Sequence, residues 1–186
     1  KHRQATRTLN IWCAACSSGQ EPYTVAMTLL EHFPQLTGWN FRILATDLSG
    51  EMVTRSRAGR YGQIEVNRGL PANLLVKWFE KKGMEWQVKP EVQRYCEFRE
   101  MNLIEPWGPL PAMDVVFLRN VLIYFDVETK RQILGTEFAK RSKESTPAPG
   151  WSDALAGGLL LSWFVMFARV IVIVGLTNTN LLPHLV

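Results

Sequence analysis

The sequence has little cysteine and no apolar segment at its start. Its 186 residues include three cysteines, Cys13, Cys16 and Cys96, which are too few for the disulfide frameworks of small secreted proteins. The basic stretch from Lys1 to Arg7 is not followed by the apolar core of a secretory signal. We therefore expect a protein of the reducing cytoplasm.

A strong excess of charge is also missing. The net charge is +4 and the basic residues are scattered, so nucleic-acid binding is not expected. Apolar residues make up 47% of the chain, as in an ordinary globular protein. A chain of this length can form one domain with a substantial core.

The sequence contains no obvious pairing of a histidine with an acid or a cysteine that would indicate a nucleophile and its base. Cys13 and Cys16 form a C-x-x-C pair, which in some folds is a thioredoxin-type redox site. Because Cys13 is predicted to end a strand, we favour a packing role over redox chemistry. Cys96 and three scattered histidines do not complete a zinc site, so no metal is expected.

One segment, Ile11 to Tyr23, has the pattern of a strand, a tight loop and the start of a helix. Its sequence is IWCAACSSGQEPY, in which small residues lead to Gln20, Glu21 and Pro22. Proline fits the first helical turn, where its missing N–H has no consequence. A small-residue loop at a helix N-terminus lets a ligand contact backbone N–H groups. Glu21 suits a ligand with amino or hydroxyl donors better than a phosphate.

A second signal follows the next predicted strand, Phe41 to Ala45, which leads into Thr46 and Asp47. In nucleotide-binding α/β folds, an acidic residue at this point accepts hydrogen bonds from ribose hydroxyls. The preceding loop has one glycine, Gly19, and so lacks the three-glycine dinucleotide fingerprint. The sequence therefore favours a nucleoside ligand without a pyrophosphate.

Strand and helix patterns alternate along much of the chain. We predict strands at 9–13, 41–45 and 115–118, and helices at 23–33, from a Ser49 cap to 57, and at 127–140. This alternation predicts an α/β fold with a mostly parallel sheet and helices on both faces. From about residue 59 the pattern changes: a short helix is predicted at 71–82, followed by strands at 84–89 and 93–98 joined at Pro90 and Glu91.

The C-terminal part does not continue this alternation. Residues 140–150 are polar and proline-rich, and we expect a flexible linker. The run from Leu155 to Leu176 is long enough to span a bilayer, but Arg169 near its middle is costly there. We favour buried strands that complete the sheet over a membrane helix. An atypical or misjoined tail is the other alternative for residues 151–186.

Four blocks in order, WCAACSSGQEPYTVAMTLL, ILATDLS, FREMNL and DVVFLRNVLIYFD, resemble the chemoreceptor glutamate methyltransferases of the CheR type. The resemblance covers about residues 10 to 135, and Gln20 stands where the family usually has glutamate. It implies a Rossmann-like class I methyltransferase fold with S-adenosylmethionine as cofactor and S-adenosylhomocysteine as product. It implies a cofactor-binding core at 1–139, with a small antiparallel insertion at about 60–98. The family's N-terminal helical domain has no counterpart in Lys1 to Asn10.

The resemblance also implies roles for particular residues. Those that would bind the cofactor are Glu21, Asp47, Asn102, Leu103, Asn120 and Val121. Arg119 would neutralise the acceptor carboxylate, and Tyr124 would line the transfer site. Several have ordinary structural alternatives: Asp47 as a turn or cap residue, Asn102 as a turn residue, Arg119 in an ion pair and Tyr124 in the core.

The implied function is methyl transfer from S-adenosylmethionine to glutamate side chains on the cytoplasmic helices of chemotaxis receptors. A glutamate carboxylate is already ionised at neutral pH, so the lack of a general base agrees with this reaction. We expect a monomer without membrane insertion. Two alternatives stay open: a non-catalytic module that binds the cofactor, its product or a sensory partner, and a methyltransferase with another acceptor.

Overall fold

The computed structural model describes residues 6–36 and 38–144. The chain divides into two compact units, Lys1–Glu137 and Phe138–Val186, and the strands given below belong to the first. Among the described residues, no helix has the length and apolarity needed to cross a membrane. The strands or membrane segment considered for 151–186 lie outside the described residues. The linker predicted at 140–150 is wrong for residues 140–144, where the preceding helix continues, and residues 145–150 lie outside the described residues.

The described elements are strands and α-helices in mixed order, with two short 3₁₀ helices at Pro34–Leu36 and Leu122–Tyr124. Their bounds are β1 (Thr8–Ala14), α1 (Gln20–His32), β2 (Asn40–Asp47), α2 (Gly50–Ala58), β3 (Arg60–Gly62), α3 (Gln63–Val66), α4 (Ala72–Trp78), β4 (Phe79–Lys82), β5 (Glu85–Val88), α5 (Pro90–Gln93), β6 (Cys96–Glu100), β7 (Val115–Phe117) and α6 (Val127–Glu144).

The central sheet is parallel and has the strand order β6-β2-β1-β7. The register places Ile11 of β1 opposite Ile43, and Cys13 opposite both Ala45 and Phe117. Because the strands run the same way, their carboxyl ends meet at one edge, where open α/β sheets bind ligands. The predicted α/β fold with a mostly parallel sheet is confirmed, and the arrangement is Rossmann-like.

Both faces of the central sheet are covered. Successive side chains of a strand point to opposite faces, and β1 is buried at every position from Ile11 to Ala14. Ile11 and Cys13 belong to a cluster that includes Tyr23 of α1 and Val53 of α2. On the other face, Trp12 and Ala14 cluster with Leu103, Met113, Val121 and Ile133 of α6. The expectation of helices on both faces is therefore confirmed.

The predicted Ser49 cap is confirmed at the start of α2. Ser49 Oγ accepts the N–H of Met52 at 3.3 Å, which satisfies one of the free donors of the first helical turn. The helix ends at Ala58 and is capped by Gly59, whose left-handed backbone lets its N–H reach the carbonyls of Arg55 and Ser56.

The chain between α2 and β6 contains the antiparallel sheet β3-β5-β4, in agreement with the expected insertion. The helix predicted at 71–82 is too long. It ends at Trp78, because Phe79 is buried and begins β4, which pairs with β5.

The strand predicted at 93–98 is also placed differently from the expectation. Pro90 begins the short helix α5, as its fixed φ favours at a first helical position. Strand β6 starts at Cys96 and pairs in parallel with β2 of the central sheet. The pairing places Phe98, which is 5% exposed, in the core cluster with Tyr23 and Val53. Residues 84–89 and 93–98 therefore do not form a hairpin.

Two indoles pack beneath the carboxyl edge of the sheet. The rings of Trp12 and Trp107 have centroids 4.8 Å apart and meet nearly edge to face, at 81°. Trp12 is fully buried, and its Nε1–H donates to Thr46 Oγ1 at 2.9 Å. The Trp107 Nε1–H donates to the Leu103 carbonyl at 3.1 Å. The pair links β1 and β2 to the segment that follows β6.

The packing of α6 on this second face can be tested by truncating Ile133, which is 1% exposed. Ile133→Ala should lower the free energy of unfolding by about 2–5 kcal/mol, because it leaves a cavity beside Trp12. Val127→Ala changes a residue of the same helix that is 63% exposed and should cost less than about 0.5 kcal/mol. Equilibrium unfolding in urea measures both, and equal losses would contradict the packing.

Candidate functional site

The loop from Ala15 to Gly19 connects β1 to α1 at the carboxyl edge of the central sheet. Three of its residues have a left-handed backbone: Ala15 (φ 56°), Ser17 (φ 50°) and Gly19 (φ 86°). For residues with a side chain this conformation costs about 1–2 kcal/mol. The Cys16 N–H donates to the Thr46 carbonyl at 2.9 Å, and the Gly19 N–H donates to the Cys16 carbonyl at 3.0 Å. Strained backbone that is held in this way is typical of binding sites.

Gly19 precedes α1 and lies against α2. A Cβ atom at this position would be 2.8 Å from Ser56 Oγ and 3.2 Å from Ser56 Cα. The positive φ and the lack of space both require glycine here. The loop is therefore a tight turn that brings backbone N–H groups to the start of a helix.

Asp47 ends β2 and connects two loops. Its Oδ2 accepts the N–H of Ser17 at 2.7 Å, and its Oδ1 accepts the N–H of Ser49 at 3.0 Å. The turn role considered for Asp47 is thus present. Because each carboxylate oxygen has more than one acceptor position, the side chain can also receive hydrogen bonds from two hydroxyl groups. The predicted ribose role is compatible with this geometry.

Glu21, in the first turn of α1, faces Arg119, which follows β7. Glu21 Oε1 and Arg119 Nη1 are 3.5 Å apart, and the two side chains are 20% and 66% exposed. Partial burial raises the pKa of the Glu21 carboxyl, and the charge and hydrogen bond of Arg119 oppose that rise. The ion-pair role considered for Arg119 is present. Its exposure leaves the guanidinium accessible to a carboxylate from outside.

Asn102 lies just beyond β6 at the same edge. The Met101 N–H donates to the Asp47 carbonyl at 2.9 Å, which brings Asn102 next to the end of β2. Asn102 Oδ1 accepts the N–H of Ile104 at 3.2 Å, the local bond of a turn asparagine. Its Nδ2 donates to Glu105 Oε1 at 2.9 Å. A role toward adenine stays a prediction.

The remaining predicted residues differ in exposure. Leu103 and Val121 are each 9% exposed and belong to the cluster around Trp12. Asn120 is exposed and has a left-handed backbone with φ 58°. Tyr124 is 79% exposed, so the core role considered for it is wrong. Its place after β7 leaves its ring free to meet another molecule.

The thiols of the C-x-x-C pair are buried. Burial is the main cause that raises the pKa of Cys16 to about 11, and it raises that of Cys13 still further. The nearby Cys96 is half-buried, and burial raises its pKa to about 12. Thiols that stay protonated are poor nucleophiles, so this environment supports the packing role over redox chemistry.

A cavity of about 550 Å³ lies along β6 and is lined by Arg57, Cys96 and Arg99 among others. Its arginines already have partners. Arg57 Nη2 donates to the Phe98 carbonyl at 2.6 Å, and Arg99 Nη2 is 2.6 Å from Glu97 Oε1. We therefore assign the candidate site to the carboxyl edge of the sheet and not to this cavity.

Two buried hydroxyls contact the loop from behind, and the sequence did not single them out. Ser56 Oγ donates to the Ser17 carbonyl at 2.9 Å, and Tyr61 OH donates to the Ser18 carbonyl at 2.8 Å. The position of Ser56 one turn after Val53, on the buried side of α2, was a weak signal for an inward-facing residue. Tyr61 had no comparable signal, because its contact depends on how the insertion folds back.

A parallel sheet of this order, with a small-residue loop after β1 and an acid after β2, defines a Rossmann-like domain for an adenosine-containing cofactor. A comparison with protein families agrees with this class. The family described as CheR methyltransferase, SAM binding domain, matches residues 1–155. The chain belongs to this family, and S-adenosylmethionine is its methyl-donor cofactor.

Curated relatives carry matching names. The chain is 47% identical over 131 residues to Chemotaxis protein methyltransferase 1 of Pseudomonas aeruginosa. It is 43% identical over 130 residues to Chemotaxis protein methyltransferase Cher2 of Pseudomonas putida. Each of these two matches covers 68% of this chain and 47% of the relative. It is 39% identical over 154 residues to Chemotaxis protein methyltransferase 1 of Vibrio cholerae, covering 81% of this chain and 56% of the relative. The chain thus spans about half the length of these relatives.

The requirement for glycine in the loop can be tested with Gly19→Ala. The substitution should raise the dissociation constant for S-adenosylhomocysteine by about tenfold or more, because the positive φ and the contact with Ser56 displace the loop backbone. Gly83→Ala is the matched control, since Gly83 also has a positive φ (64°) but open space around it. Calorimetric titration measures both variants, and equal affinities would exclude a binding role for the loop.

Proposed function

We propose that this chain is the cofactor-binding and methyl-transferring part of a protein-glutamate O-methyltransferase that acts on chemotaxis receptors. The support comes from the family match and from relatives whose names state methylation in chemotaxis. The observation that carries the proposal is the convergence of the strained loop, the Asp47 carboxylate and the Glu21–Arg119 pair at one edge of the sheet.

The side chains at this edge fit S-adenosylmethionine. Asp47 has acceptor positions left for the two ribose hydroxyls. Glu21 is a half-buried carboxylate that a ligand ammonium group would stabilise. The loop after β1 allows close approach to its backbone. Leu103 and Val121 are largely buried, and the small exposed part of each is apolar surface that a base could contact. These are the groups that an adenosine bearing an amino-acid chain would need.

The reaction needs positioning more than proton transfer. When bound, the cofactor supplies an activated methyl group on a sulfonium sulfur. A glutamate acceptor is already ionised at neutral pH, so the protein must align the carboxylate with the methyl group and keep water away. In this proposal Arg119 holds the acceptor carboxylate through its exposed guanidinium, and Tyr124 borders the acceptor.

An assay with tritiated S-adenosylmethionine and receptor-containing membranes tests the proposal directly. Radioactivity should pass to the receptor and be released by mild base as methanol, which identifies a carboxyl methyl ester. Label on a small molecule would indicate another acceptor. Binding of S-adenosylhomocysteine without any transfer would indicate the non-catalytic module.

The ribose role of Asp47 leads to a specific expectation. Asp47→Ala should weaken S-adenosylhomocysteine binding by about 1–3 kcal/mol, because hydroxyl and N–H groups lose their acceptor. Asp126→Ala is the control: Asp126 also accepts a backbone N–H, from Thr129 at 2.7 Å, but caps α6. Calorimetry compares the two, and the same affinity in both variants would refute the ribose role.

The raised pKa of Glu21 predicts how binding depends on pH. A ligand ammonium group favours the ionised carboxylate, so affinity should be greatest above the pKa of Glu21 and should fall as pH decreases through it. Because burial raises that pKa above the usual 4.5, the loss should begin at a higher pH than for an exposed glutamate. Calorimetric titration from pH 7.5 down to the limit of folding should show this slope.

Glu21→Gln is the control for this pH dependence. The variant should bind more weakly at pH 7 and should show a flatter profile, since the amide does not titrate. An unchanged slope in Glu21→Gln would assign the pH dependence to another group.

A further inference from the structure

Hydroxyl groups from α2 and β3 hold the backbone of the loop from Ala15 to Gly19. Ser56 of α2 donates to the Ser17 carbonyl, and Tyr61 of β3 donates to the Ser18 carbonyl, at 2.9 and 2.8 Å. Ser56 is fully buried, and Tyr61 and Ser18 are 3% and 8% exposed. Buried hydrogen bonds of this kind leave an unsatisfied carbonyl when the donor is removed.

These bonds determine where the loop N–H groups point. A trans peptide unit is planar and directs its C=O and N–H in opposite directions. Holding the Ser17 carbonyl toward Ser56 therefore turns the Ser18 N–H away from α2. The unit between Ser18 and Gly19 is fixed at both ends, by Tyr61 OH and by the Cys16 carbonyl, which accepts the Gly19 N–H at 3.0 Å.

The loop needs such restraints because its conformation is intrinsically unfavourable. Ala15 and Ser17 have φ values of 56° and 50°, where a side chain crowds the backbone. Without outside support, these residues would relax to a more common conformation and move the N–H groups of the loop. The Asp47 carboxylate holds the Ser17 N–H at 2.7 Å from one side, and Ser56 holds the carbonyl of the same residue from the other.

We propose that Ser56 and Tyr61 are positioning residues for the cofactor, and that through Tyr61 the antiparallel insertion sets cofactor affinity. The inference rests on the cofactor site described above and not on the identity of the methyl acceptor. Neither residue touches the cofactor in this proposal. Each acts by holding a loop carbonyl, so that the loop backbone keeps the binding arrangement, with the Ser18 N–H turned away from α2.

Tyr61 is well placed to couple the insertion to the loop. Its backbone is paired with Trp86 of β5, and its ring meets that of Phe79 in β4 edge to face, with centroids 6.3 Å apart. The three strands of the insertion therefore hold the tyrosine ring, while its hydroxyl reaches the loop of the central sheet. A shift of the insertion moves the Ser18 carbonyl through this single hydrogen bond.

The test compares two variants that remove one hydroxyl each, Tyr61→Phe and Ser56→Ala, in the full 186-residue chain. Both should raise the dissociation constant for S-adenosylhomocysteine by about 3- to 10-fold, as expected for the loss of one supporting hydrogen bond. Tyr23→Phe is the matched control. Tyr23 is 1% exposed, and its OH donates to the Ser56 carbonyl of α2 at 2.8 Å, not to the loop.

Measurements below the melting temperature of every variant separate positioning from general stability. The control should lose thermal stability to a similar extent and keep its affinity. Amide hydrogen exchange at residues 17–19 should accelerate in Tyr61→Phe and Ser56→Ala but not in the control. Unchanged affinity in both test variants, or an equal loss of affinity in Tyr23→Phe, would overturn the proposal.

The outcome is independent of the methylation assay. If the two variants bind S-adenosylhomocysteine more weakly and receptor glutamates are not methylated, the positioning role stands and the proposed acceptor is wrong. If receptors are methylated and the variants bind normally, the acceptor stands and the positioning role is wrong.

Discussion

The carboxylate of Asp47 is the group on which the loops at the carboxyl edge of the central sheet depend. It receives one N–H from the loop after β1 and one from the turn before α2, so a single side chain joins two loops that follow neighbouring parallel strands. Hydrogen bonds to an ionised acceptor are stronger than neutral ones. This strength helps to hold Ser17 in a conformation that it would otherwise avoid. The loop is therefore held by contacts within the chain itself.

The site combines a fixed part with an adjustable part. Short hydrogen bonds hold the loop from Ala15 to Gly19, the Asp47 carboxylate and the buried Trp12 ring. Glu21 and Arg119 are joined more loosely, at 3.5 Å, and Arg119 is largely exposed. Exposed ion pairs contribute little to stability, so this pair can separate at small cost. Such an arrangement suits a site in which a ligand ammonium group replaces Arg119 at Glu21 and an incoming carboxylate replaces Glu21 at Arg119.

The sequence was most informative where function and local structure coincide. The loop of small residues, the Ser49 cap and the strand before Asp47 each have a local signal, and each was predicted correctly. The helix predicted from Tyr23 begins three residues earlier: α1 starts at Gln20, directly after the left-handed Gly19. The position of Asp47 after the second strand indicated a ribose contact, but the roles of Asn102, Leu103, Asn120 and Val121 came from the family resemblance, since composition and periodicity alone support only a nucleotide-binding domain.

The parts that could not be predicted depend on contacts between distant segments. Strand β4 has four residues, and its pairing with β5 rather than continuation of α4 is decided by the burial of Phe79. Strand β6 joins the central sheet because β2 offers it an edge, which no local pattern records. Tyr61 and Ser18 are 43 residues apart in sequence, and only the folded insertion brings them together.

The edge-to-face packing of Trp12 and Trp107 has a practical consequence. Two indoles this close and nearly perpendicular share their electronic excitation, so their joint absorption differs from that of two separate rings. One ring is bonded to the residue before Asp47, and the other to the carbonyl of Leu103. Because Thr46 precedes Asp47 and Leu103 follows Asn102, a movement of either segment changes the environment of the ring pair. We therefore expect the near-ultraviolet circular dichroism of the protein to respond when the cofactor binds, without any attached dye.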